Sequence, residues 1–213
     1  RHVSMITFGG IIGAGLFVGS STAISTIGPA AVLSYALAGF LVLLVMRMIS
    51  EMAMAIPGGQ TFPDFAREGL GNWAGFLVGW LYWYFWVVVI AVEAIAGAKI
   101  ICGWFPQFEV WEVGVVLMAL LTVVNLMSAR SYGEFEFWFA STKVVAIIVF
   151  ILVAGAFALG LTSPSGPTFG NLTAHGGFAP AGTAAIFAGV ATTIFSLCGA
   201  EIATLAAAES QEG

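Results

Sequence analysis

Long apolar stretches recur along this sequence, and each is long enough to cross a membrane. About 20 residues at ~1.5 Å of rise per residue span the ~30 Å hydrocarbon core of a bilayer. Because lipid cannot hydrogen-bond to the backbone, only helices and closed barrels can cross it. The sequence lacks the ten-residue polar and apolar alternation of barrel strands, so we predict an all-α membrane protein.

The composition excludes a soluble domain and several kinds of chemistry. Hydrophobic residues make up 60% of the 213 residues and charged residues 8%, with a mean hydropathy of +1.03. The net charge of −5 is spread over loops and segments, which argues against a nucleic-acid partner. Cys102, Cys198, His2 and His175 show neither a disulfide framework nor metal-ligand spacing. Since neither histidine belongs to a catalytic motif, we expect no cofactor, no metal and no enzymatic activity.

Hydropathy, with Gly and Pro as punctuation, predicts six membrane helices. They are residues 3–27, 30–56, 73–102, 113–129, 137–161 and 184–208. If the N-terminus is cytoplasmic, Arg1, Arg67 and Arg130 lie inside, and the outer connections 105–112 and 162–183 contain no Lys or Arg. The positive-inside rule therefore supports a cytoplasmic N-terminus in a multi-pass protein that has the lipid bilayer as a partner. We expect this protein to lie in the inner (cytoplasmic) membrane.

Five glycines interrupt the first apolar segment: Gly9, Gly10, Gly13, Gly15 and Gly19. Each costs ~1 kcal/mol relative to alanine inside a helix. One explanation is close helix packing, because Gly15 and Gly19 fit the small-xxx-small pattern. The other is a break at Gly13, Ala14 and Gly15, whose freed amides would bind an anionic group while freed carbonyls accept an ammonium.

The sixth segment contains a second candidate break. Ser196, Cys198 and Gly199 lie at its middle and Glu201 follows. Interrupted helices at corresponding positions are typical of two inverted five-helix repeats, whose breaks would face each other across a polar hollow. We therefore predict a single transmembrane domain in which 1–161 is the first repeat, 162–183 an outer loop and 184–213 the first helix of the second repeat.

Ionisable residues inside apolar segments are functional candidates, because each costs ~2.5 kcal/mol or more at the bilayer centre. Desolvation favours the neutral form of such groups, so Glu93 and Glu201 could carry protons; structural hydrogen bonding is the alternative for both. Lys143 could either extend to the membrane interface or act in transport. Arg47 and Glu51, four residues apart, are interpreted first as a structural ion pair.

Five quoted stretches together resemble bacterial amino-acid permeases of the amino acid-polyamine-organocation superfamily. They are "ITFGGIIGAGLFVGSS", "VMRMISEMAMAIPGGQTF", "GWLYWYFWVVVIAVEA", "SYGEFEFWFASTKVVAII" and "GGFAPAGTAAIFAGVATTIFSLCGAEIATLAAAES". The third, fifth and sixth segments are most similar to the 4-aminobutyrate (GABA) permeases. The resemblance implies a LeuT-type inverted-repeat fold of about twelve helices, six of them here, and proton-coupled uptake. We expect this chain to be the N-terminal part of a longer transporter, with the C-terminal half as its partner.

The resemblance also implies roles for single residues. Tyr82 and Trp86 match positions that line the substrate path, and Phe195 matches an aromatic that covers the bound substrate. Lys143 matches a lysine that reaches toward the first helix and occupies the place where sodium-coupled relatives bind a cation, which implies a proton-linked switch. Many related permeases have polar residues in place of Leu81 and Phe85, and this apolar neighbourhood favours a short zwitterion such as 4-aminobutyrate.

The predicted site binds the substrate carboxylate on amides of the first break and its ammonium on carbonyls near Ile11, Phe195 and Cys198. The substrate-binding set is Ile11, Gly13, Ala14, Gly15, Tyr82, Trp86, Phe195, Ser196 and Cys198, and the proton-coupling set is Lys143, Glu201 and Glu93. Alternatives are a permease or exchanger for another neutral amino acid, and a scaffold that only packs helices. The scaffold explains the glycines but not three buried ionisable residues.

Overall fold

A computed structural model describes residues 9–13, 15–56, 61–126, 129–161 and 166–200, with side chains for all of these except 129–136. Every regular element in these ranges is helical, which confirms the all-α prediction. By length and composition, three stretches of the described chain can cross a membrane: Gly15–Ala55, Asn72–Trp104 and Phe137–Ala158. Val110–Asn125 and Thr183–Leu197 are shorter apolar helices.

The described residues form eight α-helices in chain order. They are α1 (Ser20–Ile27), α2 (Ala31–Ala55), α3 (Phe62–Leu70), α4 (Asn72–Trp104), α5 (Val110–Asn125), α6 (Ala129–Ala158), α7 (Asn171–Ala174) and α8 (Thr183–Ile194). A π-helical turn, Gly15–Gly19, precedes α1, and 3-10 turns occupy Gly28–Ala30 and Phe195–Leu197.

The second to fifth predicted segments correspond to α2, α4, α5 and α6, with differences at some ends, whereas the first and sixth are interrupted and lie partly outside the described residues. The second and third segments match α2 and α4 to within two residues. Helix α6 begins at Ala129 rather than at 137, because a helix continues through polar residues whereas hydropathy marks only its apolar part. Helix α5 begins at Val110 rather than at 113, since Glu109 and Glu112 form a capping box there.

Two helices were not predicted from the sequence. Helix α3 is amphipathic and too polar for a hydropathy window, although Thr61 before it, Pro63 in its first turn and Gly71 after it are ordinary helix boundary signals. Helix α7 is a single turn inside the connection 162–183, which we predicted as an outer loop.

The chain divides into two compact units: Arg1–Leu43 with Gly133–Gly199, and Leu44–Tyr132 with Ala200–Gly213. In the second unit α4 packs against both α3 and α5. Gly75 permits the approach of α3, because an added Cβ would lie 2.9 Å from the Pro63 carbonyl oxygen. Arg67 pairs with Asp64 at 3.3 Å inside α3.

In the first unit, small side chains bring α8 against α1 and α2. The buried cluster consists of Ala23, Ile27, Ala30, Ala31 and Ile186. Gly189 of α8 contacts Ile27 and Ser34 so closely that an added Cβ would collide with both. Small residues at such crossings let membrane helices approach closely and gain van der Waals contact.

Two buried hydroxyls add polar contacts between α2 and α8. The Ser34 hydroxyl donates to the Ile186 carbonyl at 2.8 Å, and the Thr193 hydroxyl donates to the Ser34 carbonyl at 3.3 Å. Both side chains are 0% exposed. Interhelical hydrogen bonds of this kind are a recurrent source of association between membrane helices, so α2 and α8 are joined by packing and by polar contacts.

Candidate functional site

The first apolar segment is broken where the glycines predicted it. Residues 9–11 are helical, Ile12 and Gly13 are not, and helical structure resumes with the π-helical turn at Gly15. The Gly13 amide donates to the Ile11 carbonyl at 3.1 Å, and the Leu16 amide donates to the Gly13 carbonyl at 3.2 Å. We call Ile12 and Gly13 the first break; the predicted site residue Ala14 lies outside the described residues.

The sixth segment is also broken at the predicted position. Helix α8 ends at Ile194 and a 3-10 turn leads to Cys198, whose backbone is extended at φ −61° and ψ 141°. Gly199 follows at φ +100°, a conformation that side-chain-bearing residues rarely adopt. We call Cys198 and Gly199 the second break. Both interruptions in the fold prediction are therefore confirmed.

The two broken segments touch each other directly. An added Cβ on Gly15 would lie 2.7 Å from the Phe195 carbonyl oxygen, and one on Gly199 would collide with the Gly10 carbonyl. At these points the segments are in contact, whereas we expected a polar hollow between them. Close packing and a broken backbone, which we treated as alternative explanations of the glycines, therefore occur together.

A serine hydroxyl joins the segments. Ser196 is 4% exposed, and its hydroxyl donates to the Gly15 carbonyl at 2.7 Å. The Tyr35 hydroxyl of α2 lies 3.3 Å from the Ser196 oxygen. Tyr35 was not among the predicted site residues; the signal for it was the polar Ser34-Tyr35 pair within an apolar segment.

Lys143 connects α6 to the helical turn before the first break. Its Nζ donates to the Gly9 carbonyl at 3.0 Å, and the side chain is half-buried. Gly9 is also pressed against Ala140, whose Cβ would lie 2.7 Å from an added Cβ. The lysine thus reaches the first segment, as the resemblance implied, instead of extending to the membrane interface. Its part in proton coupling stays a prediction.

Several backbone groups that we assigned to the substrate make internal hydrogen bonds in this structure. The Ile11 carbonyl accepts from Gly13, and the Phe195 carbonyl accepts from Cys198 at 3.4 Å. The Cys198 thiol lies 3.7 Å from the Ile194 carbonyl. A bound substrate would have to replace some of these bonds, so the substrate-binding roles stay predictions.

Other predicted site residues belong to the second unit. Tyr82 and Trp86 contact each other edge to face, with ring centroids 6.1 Å apart, and Tyr82 also contacts Phe62 at 5.2 Å. Glu93 is exposed on α4, so the expectation that it is buried is wrong for this chain. The long apolar segment around Glu93 had suggested burial, but it does not show which face of the helix Glu93 occupies. Glu201 lies outside the described residues.

Two further expectations concern charge and metal binding. Arg47 and Glu51 form the predicted ion pair, with Nε and Oε1 3.0 Å apart. Both side chains are well exposed, so the pair adds little stability. Within the described ranges no group of His, Cys, Asp and Glu side chains could hold a metal ion.

This arrangement defines a class of protein. Two membrane helices interrupted at corresponding places, with their unwound backbones together, are typical of transporters in which freed amides and carbonyls bind a small solute. In the hydrocarbon region of a membrane, irregular backbone is tolerated only inside protein or beside a cavity.

The amino acid permease family model matches residues 2–212, and the chain belongs to this family. It is 50% identical over 211 residues to the gamma-aminobutyric acid permease of Bacillus subtilis and 53% identical over 215 residues to a probable GABA permease of Pseudomonas aeruginosa. It is 48% identical over 212 residues to the gamma-aminobutyric acid permease of Escherichia coli. These alignments cover 99–100% of this chain and 45% of each relative, so the chain spans under half the length of these relatives. No solved structure matches it.

Proposed function

We propose that this chain is part of a secondary active transporter of the inner membrane that takes up 4-aminobutyrate together with protons by alternating access. The observation that carries the substrate assignment is the 48–53% identity, over the whole chain, to three proteins named as permeases for this compound. The aligned residues include both broken segments, where a zwitterion would replace internal hydrogen bonds of the unwound backbone.

In this proposal the first break receives the carboxylate. Amides around Gly13 and Gly15 stand at the N-terminal, positive end of the helical stretch that continues into α1. The carboxylate would replace the Ile11 carbonyl as the acceptor of the Gly13 amide. Carbonyls of Ile11, Phe195 and Cys198 would then accept the ammonium group.

Aromatic and apolar side chains complete the proposed site. The Phe195 ring would cover the ligand and exclude water, and Tyr82 and Trp86 would line the path to it. Leu81 and Phe85 offer no charged partner for a substrate side chain, which favours a short zwitterion without one. Protons would be carried by Lys143 and Glu201, with Glu93 as a further candidate.

The proposal is tested by reconstituting the full-length transporter in proteoliposomes and measuring uptake of labelled 4-aminobutyrate. We expect accumulation against a concentration gradient when an inward proton gradient is imposed, and competition by unlabelled 4-aminobutyrate. If excess unlabelled 4-aminobutyrate does not compete, the substrate assignment is wrong. Uptake that ignores the proton gradient and requires internal amino acid would identify an exchanger instead.

We predict that Lys143→Met uncouples accumulation from the proton gradient. The variant keeps an unbranched side chain of similar length but cannot donate to the Gly9 carbonyl, and a hydrogen bond from a charged donor is worth ~1.5–3 kcal/mol, about tenfold or more in an equilibrium. Gradient-driven accumulation should therefore fall at least about tenfold, while exchange of preloaded substrate persists.

The matched control for this test is Lys99→Met, which removes an exposed lysine of α4. Its gradient-driven accumulation should equal that of the unmodified protein. Equal accumulation by Lys143→Met and the unmodified protein would remove Lys143 from the coupling scheme.

A further inference from the structure

A chain of two hydroxyl groups connects α2 to the first apolar segment. A carbonyl oxygen can only accept a hydrogen bond, so the hydroxyl hydrogen of Ser196 lies on Gly15. Ser196 has one hydroxyl hydrogen, and the 3.3 Å contact with Tyr35 therefore has Tyr35 as its donor. The direction of the chain is fixed: Tyr35 donates to Ser196, and Ser196 donates to Gly15.

The two linked hydroxyl groups lie in well-packed surroundings. Ser196 is buried, and Tyr35 is half-buried with its ring against the cluster that contains Ile27 and Ile186. The neighbouring Ser34 holds α2 to α8 through the Ile186 carbonyl. The position of the tyrosine hydroxyl is thus set by the same contacts that join α2 to α8, and successive hydrogen bonds polarise and strengthen one another in such an environment.

The acceptor at the end of the chain is the carbonyl of a residue in the proposed substrate site. A carbonyl oxygen carries partial negative charge and repels a carboxylate placed near it. Covering the Gly15 oxygen with the Ser196 hydroxyl reduces that repulsion beside the amides of the first break. Without the Tyr35 hydroxyl, Ser196 loses the hydrogen bond that fixes its oxygen and polarises its O–H group, so its bond to the Gly15 oxygen weakens.

We infer that Tyr35 is a positioning residue of the site. Its hydroxyl holds the Ser196 hydroxyl on the Gly15 carbonyl, which keeps the two broken segments together. It also keeps the Gly15 oxygen covered beside the proposed position of the carboxylate. The predicted effect on substrate rests on the proposed function. The predicted effect on the broken segments does not, because it concerns contacts that exist without substrate.

The first test measures the broken segments without any transport assay. In full-length protein whose other cysteines are replaced by serine, the alkylation rate of Cys198 by N-ethylmaleimide reports access to the second break. We expect Tyr35→Phe and Ser196→Ala each to raise this rate about fivefold, the worth of one net hydrogen bond, and the double variant to raise it no further.

The second test measures substrate. In the same variants the KM for labelled 4-aminobutyrate should rise about fivefold to tenfold while the maximal rate changes little. The reason is that the two hydroxyl groups affect carboxylate binding more than later steps of transport. Ser34→Ala, which removes the adjacent buried hydroxyl of α2, should lower stability without this selective rise in KM. Tyr84→Phe, at an exposed tyrosine of α4, should leave both measurements unchanged.

The outcomes separate clearly. Additive effects of Tyr35→Phe and Ser196→Ala on alkylation, or no effect of Tyr35→Phe, would overturn the inference. A Tyr35→Phe protein that does not fold would also overturn it, since the hydroxyl would then support the whole unit. If the unmodified protein transports no amino acid, the proposed function fails, while the alkylation measurements still decide whether the hydroxyl chain holds the segments.

Discussion

Gly199→Ala is expected to lower the yield of folded transporter strongly. The backbone of Gly199 has φ +100°, and its added Cβ would collide with the Gly10 carbonyl and lie 3.4 Å from the Ile11 Cα. A side chain in the left-handed region costs ~1–2 kcal/mol, and overpacking adds ~1–3 kcal/mol. Because the colliding atoms are backbone, no rotamer change relieves them. Together these costs are a large part of the ~5–15 kcal/mol that stabilises a typical protein.

The measurement is the fraction of full-length protein that elutes as a single species in mild detergent, together with its thermal midpoint. Gly10→Ala is the matched control, because Gly10 forms the other side of the same contact and an added Cβ there meets no atom of the described residues within 4 Å. It should behave like the unmodified protein or better, since alanine favours a helix. A Gly199→Ala protein with an unchanged midpoint would show that the two segments do not meet as described.

Gly15→Ala should separate the broken segments and weaken substrate binding. Its Cβ would lie 2.7 Å from the Phe195 carbonyl oxygen and 2.8 Å from the Phe195 ring. The ring can rotate but the carbonyl cannot, so we expect a loss of ~1–3 kcal/mol in unfolding free energy. The displacement would also lengthen the 2.7 Å bond from Ser196 to Gly15.

Thermal unfolding and equilibrium binding of labelled 4-aminobutyrate to the full-length protein test this expectation. Gly19→Ala is the control, because its Cβ would make an ordinary 3.6 Å contact with the Ser196 oxygen. Unchanged stability and binding in Gly15→Ala would contradict the packing seen here. A larger substitution such as Gly15→Leu would not distinguish a packing role of Gly15 from a role in substrate binding, since even a methyl group at this position collides with Phe195.

The sequence was informative wherever one physical property decided the outcome. Hydropathy located the membrane helices because the bilayer core demands apolar length. Glycine density located the first break because glycine weakens a helix interior, and small or weakly polar residues around Gly199 located the second. The resemblance indicated that Lys143 reaches the first segment, although hydropathy alone left its direction open.

Contacts between distant residues could not be predicted in the same way. Tyr35 and Ser196 are 161 positions apart, and their contact depends on how far α8 rotates against α2. Each of these helices carries apolar residues on all of its faces, so the periodicity of the sequence does not identify the face that packs inward. For the same reason the direct contact between the breaks, and the outward position of Glu93, were visible only in three dimensions.

The attachments on the two sides of Gly13 have a mechanical consequence. Residues 9–11 are attached to α6 through Lys143 and Ala140, whereas the stretch from Gly15 is attached to the 3-10 turn that follows α8, through Phe195 and Ser196. Any sliding of α6 past α8 that keeps these contacts must therefore be absorbed by rotation of the backbone that joins the two attachments, which includes Ile12 and Gly13. The first break is then a hinge whose two arms belong to different helices, and its glycine supplies the torsional freedom that such a joint requires.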